Sequence, residues 1–211
     1  MTALAHSFGR RDSRAATLAW DVFLIVIGSL VVAALAQLSL RLPFTPVPIS
    51  GQTLGVLLVA GTLGATRGGG ALLLYLLEGA AGLPVFAEGK SGLLYLTSAD
   101  PVHTTGGYLW GFVIAAVVIG FLAERGWDRN LGSAIGAMVI GEIIIFGFGV
   151  VWLSQAIAVP IIAEGAAYND ALEFGLYPFV IGDILKVLIA AGVLPAAWKL
   201  LGGFGGRNPD A

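Results

Sequence analysis

The sequence contains no cysteine and few charged residues, which make up only 11% of its 211 residues. Without cysteine the chain cannot form a disulfide, a thiolate metal site or a cysteine nucleophile. Its two histidines, His6 and His103, lie far apart and match no metal-ligand spacing, so we predict neither a metal nor a cofactor. The net charge of −2 and the lack of a basic block leave no electrostatic basis for binding nucleic acid.

Apolar residues are abundant instead: 57% of the residues are hydrophobic, and 31 are glycine. A soluble domain carries roughly 25% charged residues, so this chain has too few charges to keep so much apolar surface in water. Membrane helices tolerate glycine because small residues let helix backbones approach closely. We therefore predict an all-α integral membrane protein that lies in the lipid bilayer.

Six apolar stretches are candidates for transmembrane helices, each of which needs about 20 residues to cross the hydrocarbon core. They define a six-helix membrane domain over 20–201, between an N-terminal tail at 1–19 and a C-terminal tail at 202–211. We place the spans at 20–40, 51–66, 69–87, 105–124, 131–157 and 176–201.

The segments between the spans carry turn and loop residues. Three prolines predict an extended loop at 41–50, because proline lacks the backbone donor that a helix needs. An Arg-Gly-Gly-Gly turn at 67–70 separates the second and third spans, which are short and glycine-rich and could be tilted or broken. Polar, glycine-rich residues predict a further loop at 88–104.

Basic residues fall mostly on one side of this topology. With six spans, both termini and the second and fourth loops share a side, which holds eight of the eleven basic residues: Arg10, Arg11, Arg14, Arg67, Arg125, Arg129, Lys199 and Arg207. The other side holds Arg41 and Lys90, and Lys186 lies inside the last span. The positive-inside rule therefore predicts a multi-pass protein of the cell membrane with both termini in the cytoplasm.

Ionisable residues inside a span are costly and usually mark function. Asp183 and Lys186 are three residues apart in the sixth span, so they share one helical face in the outer half of the membrane. They either neutralise each other as an internal salt bridge or face a cavity and bind a polar solute. Glu142, in the fifth span, is interpreted first as an interhelical hydrogen-bonding group or one near the cytoplasm, and Glu78 ends the third span.

Aromatic residues near the predicted outer surface also have two interpretations. Tyr108 and Trp110 are either interfacial anchors or, beside Gly107, a wall that stacks against a ring. Arg41 is predicted to extend its charge to the interface.

Two segments partly match motifs of enzymes, but neither motif is complete. The GKSG segment at 89–92 matches the serine motif of intramembrane proteases, but no histidine follows position 103 to act as a base. A phosphate-binding loop requires four residues between its glycines, whereas six separate Gly82 from Gly89. We predict that the chain is not an enzyme and has no ATPase site of its own.

Several of these segments together resemble the BioY family, the biotin-binding S components of energy-coupling factor (ECF) transporters. The resemblance covers roughly 20–200 and rests on the VPISGQ run at 47–52 and on GLPVFA, TGGYL and GDILK at 82–87, 105–109 and 182–186. It implies a six-helix S-component fold that binds biotin from outside in an outward-facing pocket. It also implies partnership with a membrane-embedded T component and two ATPase subunits.

The resemblance implies particular binding and docking residues. Asp183 and Lys186 match the pocket-lining pair of the last helix, and Lys90 stands where an asparagine is familiar. Some members carry an arginine after GGY, where this chain has Leu109, so Lys90 is interpreted as the replacement cation. The substrate-binding residues implied are Asp183, Lys186, Lys90, Tyr108, Gln52 and Gly107. Small residues four apart on the first helix, Ser29 and Ala33, are predicted to dock the T component.

Two alternatives stay open at this point. The chain could be an S component for another vitamin, or a transporter that works without coupling subunits. Neither is separable from the biotin interpretation by sequence, because the coupling subunits are other chains.

Overall fold

The computed structural model describes residue 4, residues 13–162 and residues 170–205. The predicted tails at 1–19 and 202–211 lie mostly outside these residues, as do Arg10, Arg11 and Arg207 of the charge argument. The long helices are α1 Arg14–Ala36, α2 Gln52–Ala80, α4 Gly106–Glu124, α5 Leu131–Ala156 and α7 Val180–Gly205. The shorter elements are β1 Ser39–Leu40, β2 Ile49–Ser50, a 3-10 turn at Ala87–Gly89, α3 Leu94–Thr97 and α6 Ala171–Gly175.

All five long helices are apolar enough to cross a membrane, which confirms the all-α membrane fold. Their bounds differ from the predicted spans in places. Helix α1 begins and ends earlier than 20–40, and its end leads into the predicted extended loop. That loop is closed by β1 and β2, which pair antiparallel with Ser39 opposite Ser50.

Helix α2 is a hairpin rather than one straight rod. Gly64 interrupts it with φ 83° and ψ −178°, a backbone conformation that is essentially restricted to glycine. Gln52 Nε2 donates to Tyr75 Oη at 2.6 Å, although 23 residues of straight helix would separate them by about 35 Å. The two halves of α2 therefore run antiparallel, and the chain inserts six segments into the membrane.

The turn predicted at 67–70 was placed wrongly, because the reversal lies at Gly64. Arg67 is helical and its Nη2 lies 2.6 Å from Asp21 Oδ1 of α1. The glycines that indicated a turn serve close packing instead: a Cβ at Gly68 would lie 3.1 Å from Ala60 Cα in the other half of α2. The halves, 52–63 and 65–80, measure about 18 and 24 Å, less than the roughly 30 Å of hydrocarbon.

Polar contacts fix the two ends of the helix bundle. At the end that holds Gly64, here called the hairpin end, the backbone N–H of Ala65 donates to Glu124 Oε1 at 2.9 Å. At the opposite end, here called the loop end, the segments 37–51, 81–105, 157–162 and 170–179 meet. Thr45 Oγ1 donates to the carbonyl of Phe174 there at 2.5 Å, and Trp152 Nε1 donates to the carbonyl of His103 at 2.8 Å.

Packing against α2 leaves one side of α1 uncovered. The face of α1 that α2 buries consists of Gly28, Ser29, Val32, Ala33 and Ala36. The opposite face exposes large apolar side chains such as Phe23, Ile27 and Leu30, and α7 likewise exposes Ile181 and Leu185. Exposed apolar faces of this kind suit contact with lipid acyl chains.

Candidate substrate-binding site

A narrow cavity opens at the loop end between the start of α2, the 86–90 turn, α3, α4, α5 and α7. Six of its seventeen lining residues are aromatic: Phe86, Tyr95, Tyr108, Phe112, Phe146 and Phe179. The space open to water-sized molecules is about 50 Å³. The structure brings five of the six predicted binding residues to this cavity: Gln52, Lys90, Tyr108, Asp183 and Lys186.

Asp183 and Lys186 are both an ion pair and part of the cavity wall. Lys186 Nζ lies 2.7 Å from Asp183 Oδ1 and donates to Thr53 Oγ1 at 2.9 Å. Thr53 Oγ1 in turn donates to Asp183 Oδ1 at 3.1 Å, which closes a three-residue ring. Asp183 Oδ2 is buried and has no hydrogen-bond partner in the part of the chain that the structure describes. The carboxylate of a residue that lines the cavity therefore has one oxygen without a partner among the described residues.

Gln52 belongs to a chain of hydrogen bonds that holds the loop beside the cavity. Ser50 Oγ donates to Gln52 Oε1 at 2.9 Å, and Gln52 Nε2 donates to Tyr75 Oη. Tyr75 Oη then donates to the carbonyl of Val85 at 3.0 Å. This chain links the loop that carries GLPVFA to both halves of α2, and it fixes the amide of Gln52.

Lys90 and Arg41 meet at one carboxylate on the loop end. Lys90 Nζ lies 2.8 Å from Glu88 Oε2, and Arg41 Nη2 lies 2.6 Å from the same oxygen. Burial raises the pKa of Glu88, but hydrogen bonds from Lys90 and Arg41 outweigh it and hold that pKa below its usual range. Arg41 therefore pairs with Glu88 rather than only extending to the membrane interface.

Tyr108 closes the cavity from α4. Its Oη donates to the carbonyl of Gly175 at 2.7 Å, and its ring meets Phe146 edge-on at 6.0 Å between centroids. Gly107 packs away from the cavity, against Phe148 and Trp152 of α5, where a Cβ would collide with backbone.

Trp110 acts as a local anchor between elements. Its Nε1 donates to the carbonyl of Leu96 at 3.0 Å, which ties α3 to α4. The ring is 40% exposed, so the membrane-facing interpretation of this residue also fits its position.

Some cavity residues were missed by sequence reasoning. Thr53 could have been found from the sequence, because it is the polar residue directly after Gln52 at the start of α2. Phe146 and Phe179 carry no signal in a single sequence, since aromatic residues are common throughout membrane helices. Their contribution follows only from the tertiary fold, which brings Phe146 of α5 and Phe179, just before α7, to within 6.0 Å between ring centroids.

Ser29, Ala33 and Glu78 lie outside the cavity, at the contact between α1 and α2. Ser29 Oγ donates to Glu78 Oε1 at 3.1 Å across the α1–α2 contact, so Glu78 serves helix packing. Ser29 is 0% exposed and Ala33 8%, which places both predicted docking residues against α2.

Glu142 lies in an apolar groove of about 670 Å³ between α5 and α7, which also reaches Asp183. Its carboxylate oxygens are buried, and neither has a hydrogen-bond partner among the described residues. The interhelical hydrogen bond expected for it is therefore not formed with that part of the chain.

A helical membrane bundle with a small cavity that is lined by aromatic rings and a few fixed polar groups is typical of a protein that binds a small solute. The comparisons with known proteins give the family. Residues 9–203 match the family model of the BioY family. The chain therefore belongs to the BioY family, a family of transporter components rather than enzymes.

Curated relatives and a solved structure agree with this membership. "Biotin transporter BioY" of Rhizobium etli is 33% identical over 179 residues, which cover 81% of this chain and 89% of that protein. "Biotin transporter BioY" of Thermotoga maritima is 37% identical over 152 residues, which cover 72% of this chain and 81% of that protein. The fold resembles a crystal structure of the S-component for biotin from an ECF-type ABC transporter, with a TM-score of 0.71 and 22% identity. The match covers 90% of this chain and 95% of that chain.

Proposed function

We propose that this chain captures biotin at the cell surface as the substrate-binding S component of an ECF transporter. The observation that carries the proposal is Asp183 Oδ2, a buried carboxylate oxygen with no partner in the described part of the chain, at a cavity with aromatic walls. Biotin offers a ureido group with two N–H donors, an apolar bicyclic ring and tail, and a terminal carboxylate. The unpaired oxygen of Asp183 suits a ureido N–H, the aromatic rings suit the apolar ring and tail, and the lysines suit the carboxylate.

The positions of the two lysines suggest how biotin is oriented. Lys186 is occupied by Asp183 and Thr53 beside the free acceptor, so this region suits the ureido group. Lys90 lines the cavity and also an outer space bounded by Arg41 and Pro101, so it stands where the tail would leave. In our proposal Asp183 accepts a ureido N–H and Lys90 binds the carboxylate.

Biotin binding requires the cavity to widen. Ligand pockets usually measure roughly 300–1,000 Å³, whereas about 50 Å³ is open here. The mouth is formed by the loops at the loop end, and these have fewer helical hydrogen bonds than the bundle below them. We expect the loops to move apart more readily than the helices.

The charge distribution supports an outward-facing loop end. Of the described basic residues, Arg14, Arg67, Arg125, Arg129 and Lys199 lie toward the hairpin end, while Arg41 and Lys90 lie at the loop end. The positive-inside rule assigns the richer end to the cytoplasm. This orientation places both termini in the cytoplasm and directs the cavity outward.

Energy for uptake would come from partner chains, a T component and ATPase subunits, because this sequence has no phosphate-binding loop. A docking surface must be accessible, and α1 is the least buried of the long helices. Docking through Ser29 and Ala33 would require α1 to leave α2. Ala15 and Ala19, which are also four residues apart, are exposed and need no rearrangement, so we propose this face of α1 instead.

Titration of the purified protein with labelled biotin and with a panel of other vitamins tests the proposal. We expect saturable binding of biotin, and Asp183→Asn should weaken it at least tenfold, because the amide would present N–H toward a ureido N–H. Asp128→Asn is the matched control, since Asp128 is also a buried carboxylate but lies at the hairpin end against Trp198. Tighter binding of another vitamin, or unchanged biotin affinity in Asp183→Asn, would overturn the assignment.

A further inference from the structure

An outer space adjoins the cavity at the loop end and is here called the vestibule. It is bounded by Arg41, Pro43, Thr45, Lys90, Tyr95 and Val102 and measures about 690 Å³. Lys90 and Tyr95 line both the vestibule and the cavity. A solute that moves from the vestibule into the cavity therefore passes the Lys90 ammonium.

The turn that carries Lys90 holds a carboxylate beside it. The Phe86 N–H donates to the carbonyl of Lys90 at 3.0 Å, and the Gly89 N–H donates to the carbonyl of Phe86 at 3.1 Å. Within this turn Glu88 lies in the left-handed region, with φ 61° and ψ 25°, which is unusual for a residue with a side chain. The strained turn sets Glu88 Oε2 against the Lys90 ammonium.

The two ion pairs of Glu88 converge on one oxygen atom. Arg41 and Lys90 both contact Oε2, so two cations share one anion and a positive charge is left over among the three groups. Asp100, on the next part of the same loop, is engaged elsewhere: its Oδ1 accepts from the N–H groups of Val102 and His103 and lies 2.9 Å from His103 Nδ1. The excess charge suits an incoming anion.

We propose that Glu88 is an internal counter-ion that holds Lys90 until a substrate carboxylate displaces it, and that Arg41 then retains Glu88. The inference rests on the proposed function, because it concerns the carboxylate of the captured solute. Since Arg41 contacts the same oxygen, Glu88 can release Lys90 without losing a charged partner. Glu88 and Arg41 are thus positioning residues, and they set how strongly the site prefers a substrate with an anionic tail.

The test compares biotin with biotin methyl ester, whose tail is neutral, by competition binding to the purified full-length chain. The readout is the affinity ratio of the acid to the ester, which a purely structural role would not change. Glu88→Gln frees Lys90 and should raise the ratio about two- to fivefold, the range for one exposed ion pair. Arg41→Gln leaves Glu88 with Lys90 alone and should lower the ratio, and Lys90→Gln should bring it close to one.

Asp100→Asn is the matched control, because it removes a carboxylate from the same end of the protein without freeing a cavity cation. Its ratio should equal that of the unaltered chain. An unchanged ratio in Glu88→Gln, with the ratio near one in Lys90→Gln, would overturn the counter-ion role while leaving biotin capture intact. Failure of the unaltered chain to bind either compound would instead overturn the proposed function.

Discussion

Replacing Gly64 should destabilise the whole bundle, because the reversal of α2 depends on a backbone conformation that a Cβ opposes. Gly64→Ala at φ 83° and ψ −178° should cost about 1–3 kcal/mol. For a chain of this length, each kcal/mol shifts Tm by about 2–4 °C, so we expect a fall of about 2–12 °C. The surroundings cannot relax freely, since Gly120 of α4 packs directly against the Gly64 carbonyl group.

Thermal unfolding in detergent, followed by circular dichroism, measures this effect. Gly132→Ala is the matched control, because Gly132 lies in α5 with nothing within 4 Å of an added Cβ. Alanine is the better helix former, so the control should be neutral or slightly stabilising. Equal Tm values for the two variants would refute the glycine requirement at position 64.

A disulfide gives a second and independent measurement of the same reversal. The chain contains no cysteine, so a pair introduced at Ala60 and Gly68 would have no competing partner. On a straight helix these positions are about 12 Å apart, too far for a disulfide, whereas the hairpin brings them into contact. Oxidation that leaves both thiols free would favour the uninterrupted helix.

Two further predictions concern the site and the docking face. Thr53→Val removes the hydroxyl that bridges Asp183 and Lys186, so biotin affinity should fall roughly fivefold, or by about 1 kcal/mol. Thr53→Ser keeps the hydroxyl and should bind biotin normally. Equal affinities of the two variants in a titration would contradict the bridge. Ala19→Trp should impair co-purification of the T component without weakening biotin binding. Ala33→Trp should instead lower Tm, because it overpacks the α1–α2 contact. Normal co-purification of Ala19→Trp would reject the Ala15 and Ala19 face as the docking surface.

The membrane fold was predictable because its cause is compositional. Long apolar runs between charged or proline-rich segments locate helices wherever they occur, and five of them appear in the structure. The position of the α2 reversal was not predictable, because several glycines stand close together and only one adopts a positive φ. Gly68 serves a helix–helix contact through its lack of a side chain, and composition does not distinguish that use from a turn.

The polar part of the site was predictable to a similar degree. Asp183 and Lys186 stood out because a charge within a span is rare and costly. The sequence left open whether they pair or face a cavity, and the structure shows both, since Asp183 uses one oxygen for Lys186 and leaves the other without a partner among the described residues. The engagement of Lys90 by Glu88 was not predictable, because it depends on the left-handed conformation of one residue.

The reversal at Gly64 and the cavity are connected through Tyr75. Its hydroxyl accepts from Gln52 in the first half of α2 and donates to Val85 in the loop after the second half. The bond from Gln52 requires the two halves to lie side by side, and the bond to Val85 then ties the loop that carries Lys90 to this folded-back pair. The two short halves of α2 thus help to form the site, because the reversal brings the loop after α2 back to the end of the bundle where α2 began.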